Sequence, residues 1–112
     1  MATSEITEVI QFLGDCLEER GLDVSKIILF GSQMRGGAGD ESDVDLVIVS
    51  KDFRTKDIFE RVGAVRHAVA VTIKRFMVPL DVVGLTPEEF ESESLLVARY
   101  ASEGEVVYES RK

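Results

Sequence analysis

Two carboxylates one residue apart, Asp43 and Asp45, head an apolar run that reads DVDLVIV. Successive side chains of an extended chain alternate faces, so Asp43 and Asp45 project to one side and Val44 to the other. Like charges that close repel each other. A hard divalent cation with a preference for oxygen ligands, Mg²⁺ above all, relieves that repulsion. Ten residues upstream, Gly31-Ser32 follow an apolar run that ends at Phe30. The stretch between holds Gly36, Gly37 and Gly39 as well as Gly31. Glycines let the backbone take positive φ and come close to a ligand, so loop N–H groups can turn toward an anion. Grip and carboxylates together describe a place for a metal-bound polyphosphate.

A third acid, Asp81, stands inside the run VPLDVVGL. A buried charge there costs several kcal/mol after relaxation, on the order of what any desolvated ion costs, unless a partner offsets it. Metal ligation would explain its presence. The alternatives are an exposed sheet edge or an ion pair with Arg61, Arg66 or Lys74. Asp43 alone reads equally as a turn residue after Gly39-Asp40-Glu41-Ser42. Asp45 is harder to dismiss, because Val44 and Leu46 to Val49 set it within a strand. Gly31-Ser32 without the acids would be an ordinary turn. Arg35 reads as evenly a triphosphate ligand or a solvated loop residue.

The elements that must position these residues follow from periodicity. Over residues 4–20, Ile6, Val9, Ile10, Leu13, Cys16 and Leu17 recur at helical spacing, with Ser4 as N-cap and Gly21 as the stop. Lys26 to Phe30 reads as a strand and 31–42 as a loop. Val44 to Val49 is a strand with apolar residues on both faces, hence covered on both sides beyond the carboxylates. Ser50 to Thr55 is a polar connection. Residues 56–75 read as a helix, on which Arg61, Arg66, Lys74 and Arg75 form a solvated face and His67 is structural or exposed. Val78 to Val83 is a third strand. Thr86-Pro87-Glu88-Glu89 has the order of a capped helix start. That helix pauses near Glu91 to Ser94 and resumes over Leu95 to Ser102. Val106 to Tyr108 adds a short last strand. The order α-β-β-α-β-α-(β) is that of an α/β (α+β) fold, a small mixed sheet with flanking helices and its first two strands antiparallel.

Gly31-Ser32, the ten-residue gap and Asp43-Val44-Asp45, with Arg35-Gly36 and Ser42 between, resemble the signature of the nucleotidyltransferase (DNA polymerase β-like) superfamily. The short length resembles its minimal nucleotidyltransferase branch, many members of which are antitoxins paired with HEPN-domain toxins. The resemblance implies the nucleotidyltransferase fold over 1–112 as one domain. It implies Asp43, Asp45 and Asp81 as catalytic metal ligands for two Mg²⁺ ions, and Gly31, Ser32, Arg35 and Ser42 as the grip on ATP. The activity it implies is transfer of AMP, or another NMP, to a hydroxyl. The acceptor would be a tyrosine of a cognate HEPN toxin, which makes the chain a type VII-like antitoxin. Met34 stands where the family often has a small residue. Two alternatives are a binding protein that occludes its partner without turnover, and a transferase with a small-molecule acceptor.

Composition sets the outer bounds. A length of 112 residues suits one small core. A net charge of −8 argues against broad binding to nucleic acid or an anionic membrane, and suits a basic protein partner or simply solubility. No apolar run approaches the roughly 20 residues that cross a bilayer. The N-terminus lacks the order of a secretion signal. The one cysteine, Cys16, is read as core and cannot close an internal disulfide, which suits a reducing cytoplasm.

Overall fold

The computed structural model describes residues 4–30, 44–92 and 105–109. Their order is α1 (Ser4–Glu19), β1 (Val24–Phe30), β2 (Val44–Ser50), a 3-10 turn (Lys51–Thr55), α2 (Ile58–Phe76), β3 (Leu80–Leu85), α3 (Pro87–Ser92) and β4 (Glu105–Glu109). The expected α/β order is the one found.

The apolar stripe of α1 is its buried face: Ile6, Val9, Ile10, Leu13 and Leu17 are all inside. Gly21 stops the helix as the sequence suggests. Its φ is +90°, a conformation that costs any residue with a Cβ. The Gly21 N–H donates to Glu18 O at 3.0 Å and the Leu22 N–H to Leu17 O at 3.1 Å, the paired bonds of a Schellman end. Cys16 is half-buried against the same core. Burial, with Glu19 and Asp15 nearby, pushes its thiol pKa up, which suits a packing role and not a nucleophile.

The sheet is mixed, in the order β3-β2-β1-β4. β1 pairs antiparallel with β2 on one side and β4 on the other, and β2 pairs parallel with β3. A parallel pair needs a crossover, and α2 supplies it. Ile27, Leu29, Val44, Leu46 and Ile48 pack with α1 and with Val65 and Ala68 of α2. Ile28, Val47, Val49 and Leu85 form a second cluster with Phe90 of α3 on the other face. Both faces of β2 are therefore covered past its first residues, as expected. Burying one such Leu, Ile or Val side chain contributes about 1.5–3 kcal/mol.

Element boundaries differ from the sequence reading by one or two residues. β3 spans Leu80–Leu85 and not Val78 to Val83. α2 runs on to Phe76 and closes on Met77 in a left-handed conformation, so Val78-Pro79 are spent in re-entering the sheet. β1 begins at Val24, two residues early. The polar connection is a 3-10 turn: Ser50 caps it by accepting from the Asp52 N–H at 3.1 Å, and Phe53 anchors it in the core. The second helical piece expected over Leu95 to Ser102 lies outside the described residues.

Candidate active site

Register decides which acids meet. In the parallel β2/β3 pair Asp45 stands directly opposite Asp81. Their neighbours Val44, Leu46, Leu80 and Val82 pack into the core beneath α1 and α2. Strand alternation then puts Asp45 and Asp81 together on the other face, beyond the apolar cluster of Val47, Val49, Val83 and Leu85. Neighbouring strands run about 4.8 Å apart, within which two carboxylates can share one cation. The Val44 N–H donates to Pro79 O at 2.9 Å and starts the pairing one residue before the acids.

Asp45 is half-buried and Asp81 is exposed. Asp81 is therefore not a buried charge: among the described strands β3 is the edge, and its side chain is exposed. Neither does Asp81 form an ion pair with Arg61, Arg66 or Lys74 among the described residues. Asp43, Gly31, Ser32, Arg35 and Ser42 lie outside the described residues. Among the described residues no group of three or more His, Cys, Asp or Glu is disposed to hold a metal. The two acids in register fit a divalent cation as a partial donor set, with oxygen ligands of the right kind.

Arg61 is the residue the sequence reading placed wrongly. It is not on a solvated face; its side chain is 14% exposed. Its Nε donates to Lys56 O at 3.0 Å, Nη1 to Gly84 O at 3.1 Å and to Glu89 Oε1 at 2.8 Å, and Nη2 to Phe53 O at 3.0 Å. Its guanidinium also lies 5.7 Å from the centre of the Phe53 ring. One side chain thus ties the 3-10 turn, α2, β3 and α3 together, and it holds the strand that carries Asp81. The signal was present: Arg61 shares helical spacing with Val65, Ala68 and Thr72, the buried stripe of α2. His67 is exposed, as one reading had it. Among the described residues no helix is long and apolar enough to cross a membrane.

Comparison with known proteins agrees with this architecture. The chain is 33% identical over 85 residues to the "Putative protein adenylyltransferase MJ1305" of Methanocaldococcus jannaschii, an alignment covering 76% of the chain. The chain spans 57% of the length of that relative. Its fold is similar to the crystal structure of a "putative nucleotidyltransferase" from Sulfolobus solfataricus, with a TM-score of 0.61, 20% identity, and coverage of 100% of this chain and 93% of that one. The nucleotidyltransferase domain family matches residues 9–102, from the middle of α1 past α3, and the chain belongs to that family.

Proposed function

We propose that the chain is a Mg²⁺-dependent nucleotidyltransferase that moves AMP from ATP to a protein hydroxyl. The observation that carries this reading is the register of Asp45 against Asp81 in a chain of this family. A hydroxyl oxygen attacks the α-phosphorus, the bond to the β-phosphate breaks, and pyrophosphate leaves. Asp43, Asp45 and Asp81 would hold the divalent ions, and Gly31, Ser32, Arg35 and Ser42 would grip the triphosphate. When bound, Mg²⁺ supplies charge neutralisation on the attacking and leaving oxygens. Asp81, exposed on the edge strand where an acceptor can approach, takes the hydroxyl proton.

The name of the relative in Methanocaldococcus jannaschii supports a protein acceptor. We assign that acceptor to a tyrosine of a cognate HEPN-domain toxin, with the chain acting as its antitoxin in the cytoplasm. Adenylylation adds bulk and negative charge to the toxin and so blocks it. The test is transfer of label from ATP labelled at the α-phosphate onto the co-purified toxin, with Mg²⁺ and with EDTA. Label on the toxin that vanishes with EDTA and in Asp45→Asn supports the proposal. Toxin neutralised without any label overturns it in favour of occlusion.

A further inference from the structure

A cleft lies at the end of the sheet away from the paired acids. Arg20, Gly21 and Leu22 line it after α1, Asp52, Thr55 and Lys56 on and after the 3-10 turn, and Gly63 and Ala64 on α2. It encloses about 540 Å³, within the roughly 300–1,000 Å³ of small-molecule sites. Val24 pairs with Ser50 at this end of the sheet, and Phe30 with Asp45 at the other. The stretch of β2 from Asp45 to Ser50 separates the two places, about 17 Å of extended chain.

The fold does not account for the lining of this cleft. Lys51, Arg54 and Arg61 are in ion pairs, and Lys26 and Arg75 lie over aromatic rings. Among the described residues Arg20 and Lys56 have no partner of either kind, yet both line one cleft in a chain of net charge −8. Asp52 is the one acid beside them, and one of its oxygens accepts the Asp23 N–H at 2.8 Å. Its other oxygen and the Thr55 hydroxyl have no hydrogen-bond partner among the described residues. Gly63 stands inside α2, where glycine costs stability relative to alanine. No neighbour demands it, since an added Cβ would meet nothing within 4 Å. Its bare backbone keeps the cleft open and lets a ligand come close to the helix.

These residues define the chemistry that fits. Arginine and lysine together suit a phosphate, which accepts charge-assisted hydrogen bonds from both. A free carboxylate oxygen and a hydroxyl suit sugar hydroxyls, which donate and accept. Leu22, Ala64 and Gly63 suit the C–H faces of a sugar. Among the described residues no aromatic ring lines the cleft, so it offers a nucleobase nothing to stack on. We propose that the cleft binds a phosphorylated sugar, with its phosphate between Arg20 and Lys56 and its hydroxyls on Asp52 and Thr55, against the bare backbone of Gly63.

Ribose-5-phosphate, titrated into the isotope-labelled full chain in EDTA without nucleotide or toxin, tests this apart from the proposed activity. The amide resonances of Gly21 and Gly63 should move and saturate, while those of Asp45 and Asp81 stay. Arg20→Ala and Lys56→Ala should each weaken binding about tenfold or more. Gly63→Leu should melt no lower than the parent and yet lose the response, a split that a merely structural glycine would not give. Inorganic phosphate should need about a tenfold higher concentration to move the same amides. Still resonances at Gly21 and Gly63, a response unchanged in Lys56→Ala, or equal binding of inorganic phosphate overturns the proposal.

Discussion

Asp45 and Asp81 hold the same register position on parallel neighbours β2 and β3, and both face away from the long helices. The pairing makes them a unit, so either acid alone is a poor substitute for both. Asp45→Asn and Asp81→Asn should each lower AMP transfer on the order of 10²-fold or more, several kcal/mol of charge stabilisation. Asp81→Asn should not lower stability, since it removes one of two adjacent like charges from an exposed position. Without nucleotide, Mg²⁺ should raise the melting temperature of the parent and leave both variants unmoved. Near-normal turnover in Asp81→Asn would remove that residue from the site.

Arg61 is expected to matter for the fold more than any exposed charge does. It donates to three main-chain carbonyls and a half-exposed carboxylate from a mostly buried position. Arg61→Ala removes one donor from each of those acceptors and leaves Glu89 without its cation. The cost should be about 1–3 kcal/mol, typical of leaving part-buried polar groups short of a partner. Arg61→Lys should recover little of it, because one ammonium cannot reproduce a planar fork with several donors. Urea unfolding of both variants measures this, and a loss under about 1 kcal/mol in Arg61→Ala would show the network to be dispensable.

The helices were legible because their signals are local. The stripe of α1, the Gly21 stop, and the Thr86–Glu89 box all lie within a few residues of what they control. Glu89 N–H donates to Thr86 Oγ1 at 3.0 Å and Thr86 N–H to Glu89 Oε1 at 2.8 Å, as the sequence order implies. The matching box of Asp57 and Glu60 has the same spacing and went unread. Which residues share a face with each acid within its own strand was legible from alternation alone. Their register was not, since it depends on where β3 starts, and that depends on Met77 ending α2. Asp81 looked buried because a run of apolar neighbours does not reveal that its strand is an edge. Tyr108 donating its hydroxyl to Glu18 joins opposite ends of the chain, and no local pattern announces such a contact.

Glycines separate by what surrounds them. A Cβ at Gly14 would come within 2.4 Å of the Tyr108 ring, and one at Gly84 within 2.8 Å of the Phe53 ring. Alanine at either position should cost about 1–3 kcal/mol through overpacking, although Gly14 sits in a helix that alanine would otherwise favour. Gly63 has nothing within 4 Å of the added carbon. Gly63→Ala should stabilise by about 0.5–1 kcal/mol. Thermal unfolding of the three alanine variants against the parent makes the comparison. Equal signs for Gly14→Ala and Gly63→Ala would contradict the packing described around Tyr108.

Stability should fall at both ends of the pH range for separate reasons. At Glu89 burial pushes the carboxyl pKa up. The Thr86 backbone N–H and the Arg61 guanidinium more than reverse that, and the net direction is down. A lowered folded value means stability that is present above the ordinary glutamate range, about 4.3, and lost as pH falls through the folded value. At Tyr108 burial, then the hydrogen bond to Glu18 and the charge of Asp15, push the phenol up. A raised folded value means stability that is present below the ordinary tyrosine value, about 10, and lost as pH rises through the folded one. Glu89→Gln should therefore be weaker at neutral pH but lose less on acidification. Tyr108→Phe should lose less on alkalisation and track the parent in acid. Unfolding free energies across the range check both slopes, and a Tyr108→Phe curve parallel to the parent above pH of about 10 would mean that the phenol keeps its ordinary titration.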